Sequence, residues 1–292
     1  MGANYVYGDR VLTEKGFQSI QLEVNKGKWK GHSRVYNRRL GMSLHGFYVT
    51  PGKVYADVEF PFNDTEDWES LFQRFLLRGS TLLLIGFRVE SKRGFIRAFT
   101  SFKERLLNLP IDVMVFPRIQ LRHLTSDAIR YFKRQRLPFI AVEAGSLEEF
   151  RNQPIEWLRE AQGSNPIPLV PLFPPSFDDH EYKKWKNYCE DKHVSTLPDP
   201  INPYPLTLNN LKATGIAPYK GTFSPLSDAD YNLYTEVEQS FVEDHNQISY
   251  HKAIPCVTVL RGKLLRVTTS VLHKEPEGKY KTISIPSHFS YR

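Results

Sequence analysis

The sequence predicts an α/β protein, with a parallel sheet in the middle of the chain and a small antiparallel β unit before it. From Gly52 onward, apolar segments of strand length alternate with amphipathic helical segments, which is typical of a parallel sheet covered by helices on both faces. Residues 4–49 instead alternate polar and apolar side chains around short turns such as Gly8-Asp9, as antiparallel strands do. The 292 residues, 40% of them hydrophobic, are enough for one larger and one smaller domain.

Composition narrows the class of protein. No run of about 18 apolar residues predicts a membrane span, and no signal peptide precedes the first strand. Cys189 and Cys256 are far apart in the sequence, which favours two buried thiols in the reducing cytoplasm, with a single disulfide as the alternative. The net charge of +7 favours anionic partners in general, but the basic residues are scattered and no nucleic-acid-binding motif occurs, so we do not expect a nucleic-acid partner.

The antiparallel unit comes first, and its individual strands can be assigned. A strand and a second short strand flank Gly8-Asp9, and Gln18–Val24 alternates as a strand with one solvated face does. The turn Asn25–Lys28 follows. Residues 34–44 are rich in arginine and polar side chains, so they are predicted to connect this unit to the rest of the chain.

Five strand–helix units follow, three fewer than a closed (β/α) barrel needs. The segment Ser195–Pro205 carries four prolines and therefore cannot supply a central strand, because proline lacks the N–H group that a sheet requires. It is predicted to contribute one short extended piece at most. The predicted strands are Lys53–Phe60, Thr81–Phe87, Ile111–Phe116, Leu137–Glu143 and Ile167–Phe173, and the predicted helices are Thr65–Leu77, Ile96–Leu107, Thr125–Arg136, Ser146–Ala161 with a break at Pro154, and Asp178–Asp191.

The stretch Tyr48–Phe60, YVTPGKVYADVEF, carries a resemblance to a known family. Its Pro-Gly turn starts a strand on which Tyr55, Asp57 and Glu59 share one face. It resembles the first barrel strand of the amidohydrolase superfamily, which includes dihydropyrimidinases, imidazolonepropionases and N-acetylglucosamine-6-phosphate deacetylases. In that family the three positions hold Asp-x-His-x-His.

Two later stretches resemble the same family and keep the order of its parts. Residues 208–233, LNNLKATGIAPYKGTFSPLSDADYNL, look like the family's return to its β-sandwich, through Lys220, Gly221 and Asp228–Asp230. Residues 256–266, CVTVLRGKLLR, look like its last hairpin. The resemblance implies an incomplete or distorted TIM-like (β/α) barrel of about five to six units at residues 51–206. It also implies a small composite β-sandwich domain built from residues 1–50 and 207–292.

A barrel with missing strands exposes unpaired sheet edges, which attract other strands unless they are covered. We therefore expect one of two covers over the gap. One is the Ser195–Pro205 segment of the chain itself, and the other is a second subunit, either a homodimer partner or another protein.

The resemblance also implies what chemistry to expect. Amidohydrolases activate water on one or two metal ions that are held largely by histidines, including the two on the first strand. Here Asp57 and Glu59 replace those two, and no His-x-His pair occurs. The resemblance thus implies a degenerate member, a pseudoenzyme without metal-dependent hydrolase activity or a resident cofactor, that has a binding, structural or regulatory role.

Polar residues at the carboxyl ends of the predicted strands leave an enzyme interpretation open. Asp57, Glu59 and Glu143 are carboxylates that would hold a divalent cation such as Mg, Mn or Zn. Arg118 would then bind an anionic substrate, and the protein would hydrolyse a C–N bond. In the competing interpretation the acids and arginines at these strand ends, which we call the mouth of the barrel, neutralise one another in ion pairs. Arg88 and Glu90 are among them.

Other candidates have simpler structural explanations. His123 is a candidate general base, but it is also well placed to begin a helix. The basic run from Arg130 to Arg136 is a candidate anion-binding face or, more simply, a solvated helix face. Ser146 is predicted to cap a helix, because the Gly-x-Ser-x-Gly frame of a nucleophile is absent. A weaker third interpretation is an anion- or nucleic-acid-binding module that uses the basic excess.

Overall fold

The computed structural model describes residues 4–32, 41–58, 68–172, 178–235, 253–272 and 277–284. Within these ranges the chain is a mixed α/β fold with two separate sheets, one parallel and the other mainly antiparallel. In the same ranges no helix is long and apolar enough to cross a membrane. The strands are, in chain order, β1 (Asn4–Thr13), β2 (Gly16–Asn25), β3 (Lys28–His32), β4 (Gly41–Ser43), β5 (Phe47–Pro51), β6 (Lys53–Asp57), β7 (Ser80–Val89), β8 (Asp112–Gln120), β9 (Ile140–Glu143), β10 (Leu169–Leu172), β11 (Tyr231–Thr235), β12 (Val257–Leu260), β13 (Lys263–Val267) and β14 (Ser270–Val271).

The mainly antiparallel sheet is built from both ends of the chain. It runs β14-β13-β12-β11-β5-β1-β2-β3, with β4 also paired to β1. The two ends meet where β5 pairs with β11, with Tyr231 opposite Pro51. One face of the sheet is packed around Trp29, which contacts Phe223 and Tyr231. Strands from the first and last parts of the described chain therefore belong to one sheet, and its assignment as a composite β-sandwich domain stays a prediction.

The parallel sheet runs β10-β9-β8-β7-β6, so each strand lies beside its neighbour in the sequence. These are the five predicted strands, within the residues that the structure describes. The helices are α1 (Trp68–Leu77), α2 (Phe95–Glu104), α3 (Ser126–Arg134), α4 (Leu147–Arg151), α5 (Glu156–Gln162) and α6 (Asp179–Asp191), followed by α7 (Leu208–Thr214).

Three helix starts follow directly from capping residues. The side chains of Thr125, Ser146 and Asp178 accept hydrogen bonds from backbone N–H groups three residues later, which satisfies donors that a helix leaves unpaired at its start. The predicted break near Pro154 separates α4 from α5, because proline cannot continue the backbone hydrogen bonding. These local predictions are confirmed.

Side chains of the parallel sheet alternate between two apolar clusters. The outer cluster packs against the helices and includes Tyr55, Leu83 and Val142. The inner cluster lies on the opposite face and includes Ala56, Phe116 and Ala141. Successive side chains of a strand point to opposite faces, so membership in these clusters shows which way each strand residue points.

The segment Ser195–Leu206 connects the two edges of the parallel sheet, and we call it the closing segment. At one edge, the N–H of Leu169 in β10 donates to the carbonyl of Ser195 at 2.9 Å. At the other edge, the N–H of Leu206 donates to the carbonyl of Val54 in β6 at 2.8 Å. The chain itself therefore provides the first of the two predicted covers, and these contacts at the two edges involve no second subunit.

The inner face of the curled sheet is filled with side chains. Leu197 and Leu206 of the closing segment join the inner cluster, together with Leu211 of α7 and Ile216 just after it. From the C-terminal part of the chain, Ile283 adds a further buried side chain to the same cluster. The interior is therefore an apolar core, as it is in complete barrels.

A buried charge network joins the two sheets. Lys220 Nζ lies 2.7 Å from Asp112 Oδ2 and 3.1 Å from Asp228 Oδ2, and it also contacts Asp230 Oδ2. Asp112 begins β8 of the parallel sheet, whereas Asp228 and Asp230 directly precede β11 of the other sheet. Arg261, in the turn between β12 and β13, contacts both oxygens of Asp112 at 2.7 Å. These residues include the family-like Lys220 and Asp228–Asp230, so that part of the resemblance corresponds to a structural junction.

Candidate functional site

The candidate site lies where the parallel strands end, on the inner face of the sheet. Phe116 and Ala141 belong to the inner cluster, so Arg118 and Glu143, each two residues further along its strand, point to the same side. β8 and β9 are paired in parallel, with Gln120 opposite Glu143. Arg118, Gln120 and Glu143 thus meet at one edge, as the sequence predicted for residues at the carboxyl ends of neighbouring strands.

Arg118 and Glu143 form an ion pair at this edge. Nε of Arg118 donates to Oε1 of Glu143 at 2.9 Å, and Nη2 lies 2.9 Å from the same oxygen. Both side chains are largely buried, with exposures of 14% and 18%. Gly86 on β7 makes room for the arginine, because a Cβ atom there would lie 2.8 Å from Cδ of Arg118. Arg118 and Glu143 therefore neutralise each other, as the ion-pair interpretation of these strand ends expects.

Asp57 does not join this pair. Tyr55 belongs to the outer cluster and packs on Phe75 of α1, and Asp57, two residues later, therefore lies on the helix-covered face. Asp57 is 2% exposed. Its carboxylate and that of Glu143 are thus on opposite faces of the sheet, separated in the sheet by β7 and β8. Glu59 lies outside the described residues.

This arrangement does not fit the divalent cation that the sequence resemblance implies. Carboxylates that share a cation must converge on one point, whereas Asp57 and Glu143 diverge and Glu143 is already engaged by a guanidinium. Among the described residues, no group of three His, Cys, Asp or Glu side chains is arranged to hold a metal ion. No reaction step is therefore assigned to a metal here.

A cleft of about 350 Å³ opens beside the ion pair, and we call it the mouth cleft. Oε2 of Glu149 accepts a hydrogen bond from the N–H of Gly145 at 2.6 Å, which positions that carboxylate. Arg122 is exposed at the cleft. The residues that line the mouth cleft are Gln120, Leu121, Arg122, Glu143, Ala144, Gly145 and Glu149.

Sequence reasoning missed Arg122 and Glu149. Their position gave a usable signal, because Arg122 comes two residues after the end of β8 and Glu149 six residues after the end of β9. Loops that follow parallel strands gather at one edge of the sheet, where sites of such folds lie. Predicting which residues after β8 and β9 line one cleft requires the tertiary structure.

The structure also places the remaining candidates, which are His123, the basic run from Arg130 to Arg136, and the pair Arg88 and Glu90. His123 ends a short 3-10 turn, Leu121–His123, just before the Thr125 cap, and its buried Nδ1 has no hydrogen-bond partner among the described residues. In the basic run, Lys133 donates to the carbonyl of Gln162 at 2.6 Å, and Arg130 lies 3.6 Å from Glu160. This run therefore ties α3 to α5. Arg88 and Glu90 are exposed at the end of β7 and beyond it.

The two cysteines are thiols and form no disulfide. Cys189 is fully buried in the outer cluster, and burial raises the pKa of its thiol. The thiol of Cys256 is half-buried and donates to the carbonyl of Leu233 at 3.2 Å. The disulfide alternative does not describe this structure.

No protein-family model matches the chain, and no curated protein matches it. Several solved structures are similar to it. A D-hydantoinase superposes with a TM-score of 0.61 at 13% sequence identity, over 95% of this chain and 98% of that chain. A dihydropyrimidinase from Brevibacillus agri NCHU1002 superposes with a TM-score of 0.58 at 11% identity, over 98% of this chain and 99% of that chain. A beta-aspartyl dipeptidase from Fervidobacterium islandicum AW-1 superposes with a TM-score of 0.53 at 11% identity, over 94% of this chain and 99% of that chain.

These three similar proteins are members of the amidohydrolase superfamily. The resemblance seen in the sequence is therefore confirmed at the level of the fold. At such low identities the similarity shows the fold alone.

Proposed function

We propose that this chain is a degenerate protein of amidohydrolase fold that binds a small polar ligand at the mouth cleft without metal-dependent hydrolysis. The observation that carries the proposal is the Arg118–Glu143 ion pair, which occupies the mouth with a guanidinium. In this proposal residues 51–206 are the remnant of a (β/α) barrel, and residues 1–50 and 207–292 are the composite β-sandwich.

The ion pair supports this proposal because it competes with a cation for Glu143. A divalent ion at that carboxylate would have to displace Arg118, which is only 14% exposed. A largely buried guanidinium that loses its carboxylate becomes an uncompensated buried charge, which is strongly destabilising. Asp57, on the opposite face, offers no second ligand to offset that loss.

The position of the cleft supports a small polar ligand. Leu197, Leu206 and Ile216 pack against the inner face and are almost fully buried, as side chains are inside complete barrels. The mouth cleft lies instead at the ends of β8 and β9, and Gln120, Arg122, Glu143 and Glu149 are among the residues that line it.

Metal content tests the proposal. We expect protein purified without chelator to carry far less than about one equivalent of metal by elemental analysis, and we expect Asp57→Ala/Glu59→Ala to leave that content unchanged. Hydantoin and dihydrouracil should not be hydrolysed when Zn²⁺, Mn²⁺ or Mg²⁺ is added. Glu148→Ala, at an exposed carboxylate on α4, is the matched control.

The opposite result would favour the enzyme interpretation. About one equivalent of metal that disappears in Asp57→Ala/Glu59→Ala but persists in Glu148→Ala would show a carboxylate-bound cation. The chain would then be treated as a hydrolase of C–N bonds, and the proposal would be wrong.

A further inference from the structure

We infer that the parallel sheet contains a peptide-binding site, a gap between the first half of β8 and β9 that takes an extended peptide as an added strand. Residues 277–284, which we call the inserted segment, fill this gap in the chain itself. The gap lies at the opposite end of β8 from the mouth cleft, so the inference is independent of the proposed function. Three features carry it: the late start of β9, the backbone pairing of the inserted segment, and the contacts of its side chains.

The gap exists because β9 begins to pair late. β8 runs from Asp112 to Gln120, but within the described residues β9 pairs with it only from Arg118 onward. If that register continued toward the start of β8, Pro138 would lie beside Val115. Proline has no N–H group to donate to a neighbouring strand, which favours a late start. The first half of β8 therefore has a backbone edge that β9 does not cover.

The inserted segment pairs with this edge as a parallel strand. The N–H of Val113 donates to the carbonyl of Lys279 at 3.0 Å, and the N–H of Lys281 donates to the carbonyl of Val113 at 2.7 Å. The two hydrogen bonds flank Tyr280, which is the pattern of a parallel ladder. Proteins that bind extended peptides at a sheet edge use the same backbone pairing, and pockets for alternate side chains then give specificity.

The side chains of the inserted segment alternate between the two faces of the sheet. Tyr280 packs against the outer cluster, to which its pairing partner Val113 belongs. Ile283 belongs to the inner cluster and is only 1% exposed. The gap thus offers one apolar contact surface for an aromatic side chain and a second, on the other face, for an aliphatic side chain.

The gap also selects for a basic residue. Nζ of Lys281 lies 2.9 Å from Oδ2 of Asp228 and 3.6 Å from Oδ2 of Asp112. The backbone N–H of Lys279 donates to Oδ1 of Asp112 at 2.9 Å. Both aspartates are almost fully buried, so an acidic side chain at the position of Lys281 would meet strong repulsion.

One position of the inserted segment accepts only glycine. The N–H of Gly278 donates to the carbonyl of Leu109 at 2.9 Å, and a Cβ atom on Gly278 would lie 2.1 Å from the carbonyl oxygen of Ile111. That oxygen belongs to the backbone and cannot rotate away as a side chain can. The ligand class is therefore an extended peptide with a glycine, followed by an aromatic, a lysine and an aliphatic residue in the order of Tyr280, Lys281 and Ile283.

In wild type an external peptide has to compete with the inserted segment. Its apparent affinity is lowered by the fraction of molecules whose gap is filled. Gly278→Val should empty the gap, because the added side chain collides with the backbone at Ile111. The residues that form the gap itself are unchanged in this variant.

Fluorescence anisotropy with a labelled peptide of residues 277–284, EGKYKTIS, tests the inference on the full chain. We expect this peptide to bind Gly278→Val at least about tenfold more tightly than it binds wild type. A Lys281→Glu peptide should bind the variant at least about tenfold more weakly, because its carboxylate faces Asp112 and Asp228. Ala98→Val, at an exposed position of α2, is the control and should bind the peptide no better than wild type.

Folding of the variant is followed separately, because the inserted segment also contributes buried contacts. With 5-fluorotryptophan, the native 19F signal of Trp185 in the outer cluster reports the folded state. If Gly278→Val lacks this signal, added peptide should restore it, since a ligand that binds only the native state stabilises that state.

Four results would overturn the inference. A folded variant that binds no peptide at about 1 mM, or an unfolded variant that the peptide does not restore, would show that the gap takes no separate strand. Equal binding to wild type and variant would place the peptide elsewhere on the molecule. Hydrogen exchange at Lys281 that stays as slow in Gly278→Val as in wild type would show that the gap does not require glycine. Metal content and hydantoin turnover decide the proposed function independently of these results.

Discussion

Lys220 is a buried cation whose partners come from distant parts of the chain. It is 2% exposed and contacts Asp112, Asp228 and Asp230. Burial opposes its charge, but the three carboxylates outweigh that effect and raise the pKa of the ammonium. The three aspartates are themselves almost fully buried, so each depends on a cation that stays in place.

Lys220→Met should therefore destabilise the protein by about 3–5 kcal/mol, the usual effect of removing one partner of a buried ion pair. Urea denaturation measures this loss. Lys184→Met is the control, because Lys184 pairs with Glu181 on the exposed side of α6 and such surface pairs contribute roughly 0–0.5 kcal/mol. A loss as small as that of the control would contradict a structural role for the network.

The same network predicts how stability depends on pH. Burial alone raises the pKa of Asp228, but Lys220, Lys281 and Lys28 outweigh it and hold this pKa below the ordinary value of 3.8. The unfolded chain therefore takes up a proton at a higher pH than the folded chain does. The contribution of Asp228 is fully present above pH 3.8 and is lost as the pH falls further, through the folded-state pKa.

We expect wild type to be more stable than Asp228→Asn at neutral pH, and we expect this difference to narrow below about pH 4. Urea titrations of both proteins at several pH values measure it. A difference that stays constant down to about pH 2 would mean that the charge of Asp228 contributes nothing to stability.

At the scale of elements, the closing segment replaces the missing part of the barrel. Its first residues are anchored by Gln162 at the end of α5, whose side chain is almost fully buried. Gln162 Nε2 donates to the carbonyls of Ile167 and Ser195, and Oε1 accepts from the N–H of Ser195. One side chain thus forms hydrogen bonds with the backbone of Ile167, just before β10, and with the backbone of Ser195 in the closing segment.

Gln162→Leu keeps the volume of this side chain but leaves several buried backbone groups without partners. We expect a loss of about 2–4 kcal/mol, since each orphaned group costs roughly 1–3 kcal/mol. Hydrogen exchange should also accelerate at Ser195, whose N–H loses its acceptor. Gln153→Leu, in the turn after α4, is the control and should change stability by less than about 0.5 kcal/mol. Unchanged exchange at Ser195 would show that Gln162 does not anchor the segment.

At the scale of the whole molecule, the two sheets share buried contacts. The charge network links β8 to the residues before β11, and the side chain of Asn232 in β11 donates to the carbonyl of Gly79, just before β7. Residues 277–284 add to this junction, because Val113 in β8 exchanges backbone hydrogen bonds with Lys279 and Lys281. Separating the sheets would break these hydrogen bonds and ion pairs.

We therefore expect both sheets to unfold together. Trp29 reports on the mainly antiparallel sheet, and Trp185 on the helix layer of the parallel sheet. With 5-fluorotryptophan, their native 19F signals should disappear at the same urea concentration, as in a single cooperative transition. Loss of the Trp29 signal well before that of Trp185 would show that the sheets are independent units.

Much of the fold was predictable because its signals are local. Apolar runs between helical segments predicted all five parallel strands, and Thr125, Ser146 and Asp178 marked helix starts through hydrogen bonds within three residues. Proline content alone predicted that Ser195–Pro205 is not a central strand. Its role as the closing segment was one of two alternatives, because that role depends on contacts with Val54 and Leu169, far away in the sequence.

The candidate site was predictable only in part. The alternation of a strand shows that Tyr55, Asp57 and Glu59 share a face, but it cannot show whether that face is inside or outside. That depends on how the sheet curls, and the curl directs Asp57 toward the helices and Glu143 toward the mouth. Nothing in the local sequence could therefore show that Asp57 and Glu143 point to opposite faces and do not share a cation.

By itself, the sequence determined the class of fold and, for the part of the chain that the structure describes, the number and order of the parallel strands, because hydrophobic period, capping and turn chemistry act over a few residues. The amidohydrolase-like frame came from the resemblance of three stretches to a known family. Only the tertiary structure decided that Arg118 pairs with Glu143, that Lys220 joins the two sheets, and that the interior is filled. The physical reason is that burial and charge pairing depend on which distant residues meet in space, and the chain's local preferences do not specify those meetings.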